Sequence, residues 1–176
     1  LYKLTKYIVN PIVKKAYSYA SYLIFTNPQA EERCLKLGLI DNKKKSIITG
    51  HATDTRTFKP IKVKKSGKTI LLSVGGLYKI KGHHIIIQAL KNIMDKGHKN
   101  TELWIVGKGY YEDYLRNLAK KLKVEKNVKF LGSKGHNELA KIYNLSDIFV
   151  LANYQEITPA VNEALACEKP VVVMEC

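Results

Sequence analysis

The sequence of 176 residues lacks the cysteine pattern of a zinc site or of a disulfide framework. Its three cysteines, Cys34, Cys167 and Cys176, lie far apart or at no metal-ligand spacing. No apolar run approaches the roughly eighteen residues that a membrane-spanning helix needs. We therefore expect a protein of a reducing, cytoplasmic environment that holds no metal and does not cross a membrane.

Acidic side chains are scarce as well. The chain has 15 Asp and Glu against 30 Lys and Arg, so its formal net charge is +15. The excess comes from lysine clusters at residues 43–45, 62–65 and 120–126. Such charge favours an anionic partner, although surface lysines are also common on proteins that bind nothing anionic. Strands with interleaved aromatic and basic residues are missing, and we expect no nucleic-acid partner.

Several catalytic motifs are also absent, namely the phosphate-binding P-loop, H-E-x-x-H, G-x-S-x-G and D-x-D. Residues 107–112, G-K-G-Y-Y-E, supply two glycines of the dinucleotide motif G-x-G-x-x-G, but Glu112 stands where the third belongs. An acid there opposes close helix packing and a nearby pyrophosphate, so a nicotinamide dinucleotide is a weak candidate. The five histidines are predicted to lie in loops or at the surface: His51, His83, His84, His98 and His136.

What the sequence does contain, from residue 68 onward, is an alternation of strands and helices. Apolar, β-branched runs predict strands at 70–74, 103–106, 128–131, 148–151 and 171–173. Helical spacing predicts helices at 84–94, 111–122, 137–143 and from Pro159 onward. This order is typical of an α/β, Rossmann-like parallel sheet with helices on both faces. Beyond the last strand such a sheet usually continues, so we expect a fragment open at both ends.

A shorter pattern precedes it. Helices are predicted at 2–22, with a break at Pro11, and at 30–37, and strands at 23–25 and 46–49. Residues 62–67 are polar and basic, which is typical of a linker, so we place a domain boundary near 60–67. The predicted domains are residues 1–60 and 61–176.

The predicted topology also locates a site. In an open parallel sheet, ligands bind beyond the carboxyl ends of the strands. Those ends are followed by glycine-containing or polar loops at 75–76, 107–109, 132–134 and 153–156. Lys81, Lys108 and Lys134 add positive charge, and Thr158 and Pro159 begin a helix whose free N–H groups attract anions. This edge predicts an anionic ligand, most simply a nucleotide, flanked by the carboxylates of Glu156 and Glu163.

Six segments in order resemble one enzyme family, the retaining, nucleotide-sugar-dependent glycosyltransferases of family four (group one), which have the two-domain GT-B fold. They are H-A-T-D-T-R-T-F-K-P at 51–60, L-S-V-G-G-L at 72–77 with K-G at 81–82, L-W-I-V-G-K-G at 103–109, F-L-G at 130–132, S-D-I-F-V at 146–150, and E-A-L-A-C at 163–167 with K-P-V-V at 169–172. The resemblance runs in register from about Leu23 to Cys176.

The resemblance implies a domain assignment and a reaction. Residues 1–60 would be the end of an acceptor-binding domain with its linker, and 61–176 most of a donor-binding domain. The expected reaction moves a hexose from a UDP- or GDP-sugar to a saccharide or lipid-linked acceptor, without metal or cofactor. Half of the active-site cleft would lie outside this chain, so the chain alone should not turn over. Lysines and tyrosines in the N-terminal helix suggest peripheral contact with the inner face of a membrane.

The resemblance also implies roles for residues. Lys81 would bind the donor diphosphate, Glu163 the ribose hydroxyls, and Glu156 would face the transferred sugar as the catalytic carboxylate. The other expected donor-binding residues are Gly75, Gly76, Gly107, Lys108, Ser133, Lys134, Thr158, Pro159, Ala160 and Val161. Two departures stand out: Gly76 replaces an arginine of the family, and Glu156 and Glu163 are one residue closer than usual. A catalytically impaired relative, or a sugar-nucleotide epimerase of similar fold, therefore remains an alternative.

Overall fold

The computed structural model describes residues 9–41, 45–153 and 158–174. The chain divides into two compact units, Leu1–Ala52 and Thr53–Cys176. Residues 53–60, which the sequence pattern places at the end of the first predicted domain, thus group with the second unit. No helix within these described ranges is long and apolar enough to span a bilayer.

The first unit alternates short helices and strands. Its elements are α1 (Asn10–Tyr19), β1 (Leu23–Phe25), α2 (Pro28–Lys36) and β2 (Ser46–Ile48). The strands pair in parallel, with Leu23 opposite Ser46. Pro11 lies in the first turn of α1, where its missing N–H breaks no hydrogen bond. Asn27 caps α2, since its Oδ1 accepts a hydrogen bond of 2.7 Å from the N–H of Ala30.

The second unit is built on a five-stranded sheet. Its strands are β3 (Thr69–Val74), β4 (Thr101–Val106), β5 (Val128–Gly132), β6 (Ile148–Leu151) and β7 (Val171–Val173). They lie in the order β5-β4-β3-β6-β7, and every pair is parallel. The predicted parallel sheet is confirmed, and each predicted strand is found within two residues of its expected bounds.

Four helices cover the two faces of this sheet. They are α3 (His83–Asp95), α4 (Glu112–Lys121), α5 (His136–Leu145) and α6 (Pro159–Ala166). Side chains alternate across each strand, so Leu71 packs with α3 and α4 whereas Leu72 packs with α5 and α6. The result is a three-layer α/β/α unit with one apolar cluster on each side of the sheet, as the sequence pattern predicts.

One buried asparagine ties the segment before the sheet to helix α5. Asn144 is 2% exposed, and its Oδ1 accepts a hydrogen bond of 2.9 Å from the N–H of Ile61. Its Nδ2 donates to the carbonyl oxygens of Lys59 (3.0 Å) and Ala140 (2.9 Å). Because the asparagine side chain is buried and all of its hydrogen-bonding groups are used, residues 59–61 are held against helix α5.

A buried carboxylate in β4 is bonded to a lysine of β5 and to the lysine that precedes β3. Glu102 in β4 is 4% exposed and accepts hydrogen bonds from Lys68 (2.7 Å) and from Trp104 Nε1 (3.0 Å). Lys129 in β5 lies 2.8 Å from its second oxygen. Burial alone would raise the pKa of Glu102, but the hydrogen bonds from Lys129, Lys68 and Trp104 outweigh it and hold the pKa at about 2.

The depressed pKa of Glu102 makes its contribution to stability depend on pH. The contribution is present above the unfolded-state pKa of about 4.3 and is lost as the pH falls towards the folded-state value. We expect Glu102→Gln to lower the free energy of unfolding by on the order of 2 kcal/mol at pH 7. The difference from wild type should narrow between pH 5 and pH 3, as urea unfolding followed by the fluorescence of the single tryptophan, Trp104, would report.

Glu112→Gln is the matched control for this prediction. Glu112 pairs with Arg116 one turn along α4 at 2.7 Å, on a partly exposed helix surface. Such a pair contributes only about 0.3–0.5 kcal/mol. If the difference in free energy of unfolding between Glu102→Gln and wild type stays constant with pH, the role proposed for the charge of Glu102 is wrong.

Candidate functional site

The strand order opens a crevice at one edge of the sheet. From β3 the chain builds β4 and β5 on one side, then crosses to place β6 and β7 on the other. Helix α3, which follows β3, and helix α6, which follows β6, lie on opposite faces of the sheet, and the gap between these two strand ends is where such sheets bind ligands. The predicted site residues of the segment 75–82 and of the start of α6, 158–163, border this gap.

Two glycines allow the loops at this edge to touch backbone to backbone. A Cβ added to Gly82 would lie 1.9 Å from the carbonyl oxygen of Ala152, which follows β6. A Cβ added to Gly107 would lie 1.9 Å from the carbonyl oxygen of Gly75. Both glycines have positive φ, 70° and 143°, so no other residue type fits either the space or the conformation.

Hydrogen bonds between the loops continue the sheet ladder beyond the strands. The N–H of Gly75 donates to Val106 O (3.0 Å), and the N–H of Gly107 donates to Gly132 O (2.9 Å). The N–H of Leu77 likewise donates to Lys108 O at 3.0 Å. The structure thus brings together Gly75, Gly76, Gly107 and Lys108, and Ser133 follows in the next loop.

Positive charge is concentrated at the same edge. Helices α3 and α6 begin there, and their N-terminal N–H groups carry partial positive charge. Lys81 is half-buried just before α3, and Lys108 is exposed. Neither forms an ion pair with any described residue. Lys134 differs, because its Nζ lies 3.4 Å from Glu138 Oε1, a weak pair at the start of α5.

The start of α6 departs from the sequence prediction in one respect. Pro159 lies in the first turn as expected, and Ala160 and Val161 are buried. The residue type of Thr158 predicts that its side chain accepts a hydrogen bond from a free helix N–H; Thr158 does stand at the N-cap, but its side chain makes no such bond, so that prediction is wrong. The N–H of Val161 instead donates to the backbone oxygen of Thr158 at 3.0 Å. The hydroxyl Oγ1 of Thr158 is left buried, without a partner among the described residues.

His83 also contradicts the expectation that all histidines are exposed or in loops. It is the first residue of α3, is 1% exposed, and its Nδ1 lies 3.0 Å from Ser73 Oγ in β3. Burial lowers the pKa of His83 to about 4, so the imidazole is neutral near pH 7. Its Nε2 lies close to the loop of Gly75 and Gly76, whose backbone raises the pKa of His83 and offsets part of the effect of burial.

Of the two predicted carboxylates, the structure describes only Glu163. Glu156 lies outside the described residues, together with residues 154, 155 and 157. Glu163 is half-buried in α6, and its Oε2 accepts a hydrogen bond of 2.9 Å from the hydroxyl of Tyr143 in α5. Sequence reasoning missed Tyr143, because twenty residues of chain separate it from the acid that it contacts.

An aromatic ring occupies the space beside Gly76. A Cβ added to Gly76 would lie 2.5 Å from Cε2 of Tyr78, so a side chain at position 76 would first have to displace that ring. Tyr78 in turn contacts Tyr110, with ring centroids 5.4 Å apart. In this chain the space that a side chain at position 76 would need is therefore filled by the ring of Tyr78. Among the described residues, no three His, Cys, Asp or Glu side chains are grouped to hold a metal ion.

Comparison with known families gives one match that covers most of the chain. The family model described as glycosyl transferases group 1 matches residues 54–176. The matched segment includes the whole crevice, from the loop of Gly75 to Glu163 in α6.

Individual relatives match over part of their own length. An uncharacterised glycosyltransferase of Haemophilus influenzae is 36% identical over 114 residues, which is 64% of this chain and 31% of that protein. The Campylobacter jejuni N,N'-diacetylbacillosaminyl-diphospho-undecaprenol alpha-1,3-N-acetylgalactosaminyltransferase is 25% identical over 98% of this chain and 47% of its own length. This chain thus spans less than half of either relative.

Solved structures show the same fold at lower identity. A sucrose-phosphate synthase from Thermosynechococcus elongatus superposes with a TM-score of 0.77 at 23% identity, covering 93% of this chain and 43% of its own. The Anabaena protein HepE, solved in complex with UDP and glucose, gives a TM-score of 0.78 at 18% identity, covering 96% of this chain and 48% of its own. These likenesses establish the fold of the chain.

The glycine contacts at the crevice lead to a prediction on stability. Gly107→Ala should force a Cβ against the carbonyl oxygen of Gly75, whereas Gly97→Ala meets nothing within 4 Å at a φ of 100°. We expect the control, Gly97→Ala, to lower the free energy of unfolding by about 1 kcal/mol through backbone strain. Gly107→Ala should lower it by at least about 2 kcal/mol more, because its Cβ also clashes. Urea unfolding followed by Trp104 fluorescence measures both, and equal losses would contradict the close approach of the loops.

Proposed function

The chain belongs to the group 1 glycosyl transferases, and on that premise we propose that its second unit binds a nucleotide diphosphate sugar. The whole protein would then transfer the sugar to an acceptor, retaining its anomeric configuration. The observation that carries the proposal is the crevice between β3 and β6. It is bordered by the N-termini of α3 and α6, with Lys81, which has no ion pair among the described residues, just before α3 and the carboxylate of Glu163 in α6. A cation and N–H groups suit the diphosphate, and the carboxylate suits the ribose.

The diphosphate is proposed to lie between the starts of α3 and α6. Lys81 would contact it as a point charge, and the backbone N–H groups of Gly76, Thr158 and Ala160 would donate to its oxygens. As the bond to the sugar breaks, negative charge grows on the leaving diphosphate, and these fixed donors stabilise it. We propose that they do so without a divalent cation.

The nucleoside is proposed to lie along the carboxyl edge. Glu163 accepts hydrogen bonds from the two ribose hydroxyls, with Gly107 and Lys108 nearby, and Ser133 and Lys134 lie by the base. A UDP-sugar or a GDP-sugar fits this arrangement, and the Anabaena protein solved with UDP supports the first. Glu156 is proposed to face the sugar as the catalytic carboxylate.

The acceptor is proposed to be a saccharide, free or carried on a lipid. The Campylobacter relative is named for a diphospho-undecaprenol acceptor, which is anchored in a membrane. We accordingly propose that the protein works in the cytoplasm, at the inner face of the membrane, through residues of its N-terminal domain.

A donor-binding but inactive relative is a second candidate, favoured by the ring of Tyr78 beside Gly76. Without a cation at position 76, less positive charge is available to the leaving group. Steady transfer or hydrolysis of a UDP- or GDP-sugar by the full-length protein would exclude this candidate, whereas nucleotide binding with no turnover would support it.

Lys81→Ala tests the proposed diphosphate site. A charge-assisted contact contributes on the order of 1.5–3 kcal/mol, so UDP or GDP should bind about tenfold to a hundredfold more weakly. The bare nucleoside should bind almost as in wild type, because it has no phosphate for Lys81 to contact. Isothermal calorimetry on each variant, with and without EDTA, measures these affinities.

Lys121→Ala is the matched control, since it removes the same charge from the exposed last turn of α4. Each helix of this unit runs antiparallel to the strands. The last turn of α4 therefore lies at the edge of the sheet opposite the crevice. Unchanged diphosphate affinity in Lys81→Ala would show that the crevice is not the diphosphate site. Loss of binding in EDTA would contradict metal independence.

The N-terminal helix supports a prediction on membrane contact. Lys14, Lys15 and Tyr19 of α1 are exposed, and basic and aromatic residues together suit a lipid headgroup region. We expect the full-length protein to co-sediment weakly with anionic vesicles at low salt and to be released by high salt. Lys14→Gln with Lys15→Gln should reduce the bound fraction more than Lys120→Gln with Lys121→Gln. Equal sedimentation with neutral and anionic vesicles would contradict the prediction.

A further inference from the structure

The hydroxyl of Tyr143 lies between two acceptors of helix α6. It is 2.9 Å from Glu163 Oε2 and 3.1 Å from the carbonyl oxygen of Ala160. We propose that Tyr143 is a positioning residue of the donor site, which holds the carboxylate of Glu163 in the orientation that accepts hydrogen bonds from two ribose hydroxyls. The inference rests on the proposed function, because Glu163 is assigned there to the ribose.

The ring of Tyr143 is fixed from both sides. It is fully buried, with its centroid 5.9 Å from that of Phe58 and 5.8 Å from that of Phe149. Phe58 comes from the segment before the sheet and Phe149 from β6. A large side chain packed in this way has one rotamer available, so its hydroxyl is presented to α6 at a fixed point.

The hydroxyl can act only as a hydrogen-bond donor towards Glu163. Burial, followed by the charge and hydrogen bond of Glu163, raises the pKa of Tyr143 far above its ordinary value, so the proton stays in place. A tyrosine hydroxyl has one proton to donate. A carboxylate is a stronger acceptor than a peptide carbonyl, so the bond to Glu163 is favoured over that to Ala160.

This contact leaves one side of the carboxylate for a ligand. Tyr143 occupies Oε2, and the described residues supply no side-chain partner for Oε1. A glutamate without such a bond would sample several rotamers, and a ligand would have to select one of them. Fixing a flexible side chain beforehand is worth about threefold to tenfold in affinity.

Tyr143→Phe removes the hydroxyl and keeps the ring. We expect the variant to bind UDP or GDP about threefold to tenfold more weakly than wild type in calorimetry. The affinity for the 2′-deoxynucleotide should fall less, because this ligand presents only one of the two ribose hydroxyls. The preference of the variant for ribose over deoxyribose should therefore be smaller than that of wild type. If the role of Tyr143 were purely structural, the substitution would lower the affinities for both ligands by the same factor.

Tyr114→Phe is the matched control, and the Glu163→Ala background provides the decisive arm. Tyr114 lies half-exposed on α4, on the face of the sheet away from Tyr143, and its hydroxyl should be dispensable. Where Glu163 is already absent, Tyr143→Phe should change nucleotide affinity no further. The Glu163→Asp background is a further arm, since it keeps the acid but draws it away from the hydroxyl, and Tyr143→Phe should change nucleotide affinity less there than in wild type.

The possible outcomes separate the inference from the proposed function. Wild-type affinity in Tyr143→Phe, or an equal loss with and without Glu163, would overturn the positioning role while leaving the nucleotide site intact. No binding of any nucleotide by the wild-type chain would overturn the proposed function, and the inference with it. A loss confined to chains that keep Glu163, with a reduced ribose preference, is the result that we expect.

Discussion

Backbone contact between neighbouring loops is the constraint on which the candidate site depends. The loop after β3 touches the loop after β4 at Gly107 and the segment after β6 at Gly82, in each case with no room for a Cβ. These contacts bring three strand ends together beside the N-termini of α3 and α6 and next to Lys81. A ligand with several anionic oxygens matches such a surface better than an apolar one.

Those parts of the molecule that depend on local sequence could be predicted. The β-branched run at 70–74 and the helix that ends before Gly97 show their periods directly, and parallel strands place all carboxyl ends at one edge whatever the loops contain. The positions of Gly75, Gly107 and Lys81 at that edge follow from the same topology. The distances between these three residues could not be predicted, because they depend on how far each loop extends beyond its strand.

Tertiary contacts explain what the sequence could not indicate. His83 follows a lysine and a glycine at a helix start, which is typical of an exposed residue, but Ser73 in the adjacent strand pairs with it and the loop of Gly75 covers it. Thr158 has the residue type of an N-cap, yet its own backbone oxygen takes the N–H of Val161. Propensities describe a residue in an average environment, and at both helix starts the packing of the crevice outweighs them.

Helix α5 connects the segment before the sheet to the carboxylate of the site. Two consecutive residues make the connection, since Asn144 binds the backbone of residues 59–61 while Tyr143 packs on Phe58 and donates to Glu163. Adjacent positions on a helix point about 100° apart, so one turn can face the segment and α6 at once. The position of Glu163 is therefore set by its own helix and by α5 together, and α5 is in turn held by the segment that leads into the sheet.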